Sequence, residues 1–257
     1  MKFRVWFSLA RGVVLESVRR KDMWVVAILG MIIMCASGAL GFFGFEGLEA
    51  FAKDLAVTVL GLFSTILAVI TACRQVPDEL RNRTLYPLLA RPISRFDLLA
   101  GKLLGAIAVS WIAFLLLVAL TGVALAVFGV QFEAIVLQYI VGKMLGLAVL
   151  CSVTLTLSIW MTPQAAATLS FVLAFGSSMI VRALVLAAAS SPTMVPVFKF
   201  VNWIVPQYGL FDLGSRVANT GWSLVPLWAM AALAGYALVY GGAMLSLGYA
   251  RFRSRPL

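Results

Sequence analysis

Apolar residues in this chain run in long blocks, and charge interrupts them at only a few places. The first twenty-two residues are the exception. On the ~3.6-residue helical period, Phe3, Trp6, Phe7, Ala10, Val13, Val14 and Val18 share one face, while Arg4, Arg11, Glu16 and Arg19 fill the other. This predicts an amphipathic helix over residues 1–22, lying in a membrane interface with a Trp at headgroup level. A cleaved signal peptide is the rival reading, but it needs a basic start followed by an uncharged apolar core, which this stretch lacks. Six blocks of spanning length follow: Met23 to Phe45, Leu55 to Cys73, Lys102 or Leu103 to Phe128, Ile135 to Met161, Ala165 to Ala189 and Leu224 to Tyr249. Two segments fit none of them: a polar interruption over residues 74–100, and an apolar but proline-broken stretch over 190–223.

Composition makes lipid the solvent for most of this surface. Hydrophobic residues are 63% of the 257, charged residues only 12%, and the mean hydropathy is +1.03, whereas a soluble domain is typically ~45–50% apolar. The fold class is therefore all-α, a polytopic membrane protein read as a single transmembrane domain over residues 1–257. The formal net charge of +10 does not point to nucleic acid, because the basic residues obey the positive-inside rule. Lys2, Arg4, Arg11, Arg19, Arg20 and Lys21 precede the first span. Arg74, Arg81, Arg83, Arg91, Arg95 and Lys102 lie in the interruption, and Arg251, Arg253 and Arg255 close the chain. With six alternating spans these clusters share a face, so both termini are expected in the cytoplasm and the protein in the plasma (inner) membrane.

The interruption has a local grammar of its own. Pro77, Asp78 and Glu79 form a helix start, with proline at the first position and acids at the positive end of the dipole. Leu80, Thr84 and Leu88 fall on one stripe, and Pro87 ends the helix near Tyr86. Arg91-Pro92 forces an extended residue, and Ser94 to Asp97 resembles a capping box that starts the third membrane helix. A plain linker rarely needs a helix start, two breaks and a cap, so a docking element is expected.

At these residues the sequence resembles the membrane subunits of type-2 ATP-binding-cassette (ABC) exporters. The matching positions are Glu79, Arg83 with Thr84, Leu88-Leu89, Arg91-Pro-Ile-Ser-Arg95 and Gly101-Lys-Leu-Leu-Gly105. Pro206-Gln-Tyr-Gly-Leu-Phe-Asp-Leu213 is similar to a run in the branch associated with multicopper-enzyme maturation. The chain has Asn82-Arg83-Thr84 where the family often has Arg-Gly-Thr, and Pro87 departs from it too, which bears on the length and angle of the coupling helix. The resemblance implies a permease, a homodimer or a pair with a related permease, whose 77–91 loop seats in a separate ATPase subunit. Glu79, Leu80, Arg81, Arg83, Thr84, Leu88 and Arg91 would then be the ATPase-coupling residues. No Gly-x4-Gly-Lys-Ser/Thr loop is present, so the chain is expected to be no enzyme and to bind no cofactor itself; ATP and Mg belong to the partner. The alternatives are a non-transporting scaffold or regulator that binds an ATPase, and an ion-coupled secondary transporter. The second is disfavoured by the lack of carboxylates inside the spans.

Few residues are left that could do chemistry. There is no histidine, and Cys35, Cys73 and Cys151 have no CxxC spacing, so no metal site is expected. Lys143 and Arg182 are the charges inside spans, and both are read as snorkelling outward in preference to touching substrate. Gly101/Gly105 and Gly142/Gly146 repeat a Gly-Lys-x-Leu-Gly pattern suited to close helix packing. Arg182, Pro206, Phe211 and Asp212 are candidates for the translocation path or an outer gate. The cavity between spans should be apolar, which fits an amphiphile or lipid slightly better than an ion.

Overall fold

The computed structural model describes residues 2–20, 24, 28, 30–32, 48–81, 94–127, 134–190, 195–218 and 224–254. Among these the chain is helical throughout: α1 (Lys2–Arg19), α2 (Leu48–Arg74), α3 (Pro77–Arg81), α4 (Arg95–Val127), α5 (Ala134–Trp160), α6 (Pro163–Ser190), α7 (Val195–Ile204), a 3-10 turn (Tyr208–Leu210), α8 (Gly214–Ala218) and α9 (Leu227–Arg253). Five helices among the described residues are long and apolar enough to cross a membrane. Most of the predicted first span, Met23 to Phe45, lies outside the described residues. Its described positions Gly30 to Ile32 are helical, and a Cβ on Gly30 would stand 2.9 Å from Leu117 of α4.

The centre of the bundle is α5. Fifteen of its residues are buried, from Ile135 to Ile159, because it is apolar on every side and is flanked by α2, α4, α6 and α9. Several hydroxyls of α5 bond within the bundle, while Thr154 Oγ1, and Ser170 Oγ and Ser177 Oγ of the neighbouring α6, are buried and make no hydrogen bond. Ser152 Oγ donates to Val149 O at 2.7 Å and Ser158 Oγ to Leu155 O at 2.8 Å. Thr156 Oγ1 reaches across to Met244 O of α9 at 2.8 Å, and Trp111 of α4 donates to Met144 O at 2.8 Å. By contrast, only 11% of the spanning stretch of α6 and 6% of that of α9 is buried within one chain. Length, apolarity and this outward-facing surface make the protein a multi-pass membrane protein.

Helix α4, expected as the third span, begins at Arg95, well before the apolar block that announced it. The cap at Ser94 explains the early start: Ser94 Oγ accepts from Asp97 N at 3.1 Å and donates to Asp97 Oδ2 at 2.6 Å. Arg95 then reaches the last turn of α9, donating to Phe252 O at 3.3 Å and Arg253 O at 3.0 Å, where free carbonyls and the dipole favour a cation. The helix ends carrying Arg74, Arg95 and Arg253 thus converge on one basic end of the bundle. Residues 195–218, the described part of the 190–223 stretch, close the opposite end with α7, the 3-10 turn and α8.

Candidate functional site

At the basic end, α1 crosses α4 on a surface made by small residues. A Cβ on Gly101 would lie 2.8 Å from Leu9, and one on Gly105 only 2.6 Å from Val13, so both positions require glycine. Trp6 Nε1 donates to Asp97 Oδ1 at 2.8 Å, fixing the start of α1 to the start of α4. The side of α1 turned to the bundle therefore runs through Trp6, Leu9, Val13 and Ser17, while Phe7 and Val18 of the expected apolar face stay exposed.

The polar segment is braced onto this platform from two sides. Arg20, one residue past α1, bonds Asp78 Oδ2 through both guanidinium nitrogens, at 3.1 and 3.2 Å, and pairs with Glu16 at 3.2 Å. Glu79 forms an ion pair with Lys102 of α4, and both side chains are largely out of water, 18% and 7% exposed. Glu79, expected as a contact to another subunit, is thus engaged inside the chain. Arg81 is exposed at the end of α3. Leu80 lies on the α3 backbone, but its side chain is outside what is described, and Arg83, Thr84, Leu88 and Arg91 lie outside the described residues.

At the opposite end the second Gly-Lys-x-Leu-Gly run meets a different partner. A Cβ on Gly142 would stand 3.0 Å from Phe211 O, and one on Gly146 3.0 Å from Phe211 Cβ. Phe211 is 2% exposed and tilts against Tyr236 of α9, with ring centroids 5.9 Å apart. The segment is fixed further by Tyr240, which donates to Ile204 O at 2.7 Å, and by Gln207 N, which donates to Tyr236 Oη at 3.3 Å. Asp212 Oδ1 accepts from Gly214 N at 3.0 Å, turning the chain into α8. Gln138 holds the approach to α9 by a reciprocal pair with Val225, 2.9 Å in each direction.

Beneath this plug lies a cavity of about 160 Å³ between α2, α5 and α6, lined by Thr65, Lys143, Leu147, Tyr208 and Asp212 among others. Lys143 does not snorkel to the interface. Its ammonium turns inward to α2, where it stands 3.3 Å from the place a Cβ on Gly61 would occupy. Asp212 is the carboxylate whose charge acts on it. Of the four residues proposed for a gate, Phe211 and Asp212 meet at this cavity and Pro206 is buried beside it in sequence. Arg182 is exposed on α6 and is not part of the lining.

The profile of a protein family described only as a protein of unknown function (DUF2705) matches residues 24–255. The chain belongs to that family. It is also similar to the probable ABC transporter permease protein NosY of Pseudomonas aeruginosa, at 26% identity over 280 residues, covering 98% of this chain and 99% of the relative. This DUF2705 protein is therefore permease-like along its whole length, and the two braced ends just described lie within the region shared.

Proposed function

We propose that this chain is the permease subunit of an ATP-driven ABC exporter, coupled through residues 77–91 to a separate ATPase subunit. The observation that carries the reading is the full-length likeness to a permease, joined to a short polar helix braced between two elements of the bundle. A docking element has to transmit force, and a helix tied to α1 through Asp78 and to α4 through Glu79 moves with both. In this reading the basic end is cytoplasmic, because Arg74, Arg95, Lys102 and Arg253 all collect there. ATP and Mg are held by the partner. The sparsely buried faces of α6 and α9 leave room for a second permease, the same chain or a related one, across which the pathway opens.

The test is co-purification from detergent extracts of the native membrane, with crosslinking. Because Glu79 is an internal brace, the informative variant removes Arg81 and Arg83 together by alanine substitution and leaves Glu79 intact. A stoichiometric ATPase retained by the wild type and lost by that variant is the expected result. Absence of any ATPase with the wild type refutes the reading.

A further inference from the structure

The cavity under the Tyr208–Asp212 plug has the composition of a site for a charged head on an apolar body. Lys143 lies nine residues into α5, so at ~1.5 Å per residue its backbone is ~14 Å below that end of the helix. A cation at such depth is costly and is normally paired. Among the described residues, however, no hydrogen bond or ion pair reaches this ammonium; Asp212 acts on it only through space. Tyr208 also lines the cavity; it is 9% exposed, and its hydroxyl is buried and makes no hydrogen bond. An ammonium with no hydrogen bond or ion pair in a cavity calls for acceptor oxygens carrying negative charge.

The rest of the lining says what the charge is attached to. Leu147, Leu150, Ala174 and Phe175 are apolar. Phe175 sits on the outward side of α6 in a row with Val172 and Met179, which are 50%, 54% and 76% exposed in that order. A tail leaving the cavity can follow this row into the bilayer. At roughly 30 Å³ per water, about 160 Å³ holds about five waters or one phosphate-sized head.

We infer that the Lys143–Tyr208 cavity binds the phosphate or carboxylate head of an acidic membrane amphiphile, in the leaflet opposite the basic end. This deepens the permease reading, on which it rests for treating the ligand as cargo; the binding itself does not depend on an ATPase. Gly61 belongs to the site because any side chain there would press on the ammonium.

The experiment is native mass spectrometry of the delipidated full chain in non-ionic detergent. The probes are dioleoyl phosphatidate, dioleoylglycerol, which has the same tails and no anion, and inorganic phosphate. A hydrogen bond to a charged group contributes ~1.5–3 kcal/mol, or about tenfold or more in affinity. The wild type should therefore prefer phosphatidate to dioleoylglycerol by about tenfold or more. Lys143→Met should abolish that preference, while Arg182→Met, which removes an exposed cation elsewhere on α6, should preserve it. Ser178→Trp, which blocks the cavity from the exposed face of α6 and leaves the lysine in place, should abolish it too and covers the case in which Lys143→Met does not fold. An undiminished preference in Lys143→Met or Ser178→Trp overturns the inference. Displacement of phosphatidate by an equal concentration of inorganic phosphate overturns the amphiphile part. A phosphatidate preference that depends on Lys143, in a protein that captures no ATPase, refutes the permease reading alone; ATPase capture without the preference refutes this one alone.

Discussion

The Glu79–Lys102 pair supports an asymmetric prediction. Lys102 is 7% exposed and sits on a membrane helix, whereas Glu79 is 18% exposed at the rim. Removing the acid strands a buried cation. Removing the base leaves an acid that can turn toward solvent. Breaking a buried pair from the side that leaves its charge trapped costs ~3–5 kcal/mol, and the partial exposure of Glu79 places Glu79→Ala near the lower end, about 3 kcal/mol. Lys102→Met keeps the aliphatic packing and should cost about 1 kcal/mol, close to the net value of one lost polar contact. The double variant should behave like Lys102→Met, since the trapped charge is gone. With a shift of ~2–4 °C per kcal/mol for a chain of this size, melting of the purified protein in detergent should drop by ~6–12 °C for Glu79→Ala and by ~2–4 °C for the other two. If Lys102→Met is as damaging as Glu79→Ala, or if the double variant is worse than either, the trapped-charge argument is wrong.

Gly105→Val should lift α1 off α4, because a Cβ there falls 2.6 Å from Val13; faster proteolysis within residues 2–19 with the spans intact is the readout, and unchanged protection would contradict it. Arg20→Ala removes an ion-pair set whose members are all more than a third exposed, so its cost should stay below ~1 kcal/mol and shrink further in high salt. Phe211→Ala empties the space against Gly142 and Gly146 and should cost ~3–5 kcal/mol; a melting temperature within a degree of wild type would show that the plug does not pack as described.

Much of the architecture follows from one-dimensional facts. Apolar runs of spanning length must be helical in lipid, because no water is available to satisfy the backbone, so the five described membrane helices, the cap at Ser94 and the helix start at Pro77 were legible in local residue order. Both glycine pairs were legible as places of close approach for the same reason: a missing side chain is a local property. Their partners were not. Gly101 and Gly105 receive α1, and Gly142 and Gly146 receive Phe211 from a segment some seventy residues away; nothing in a Gly-Lys-x-Leu-Gly pattern distinguishes the two. The same limit governs the charges. Sequence places Lys143 and Glu79 at a depth along their helices, but whether a long side chain runs outward to the interface or inward to a neighbour depends on which helix stands beside it. Gly61 on α2 admits the Lys143 ammonium, and Lys102 on α4 captures Glu79. Depth is set by the distance along a helix from its end, whereas direction is set by the packing of helices far apart in the chain, and only the tertiary structure decides it.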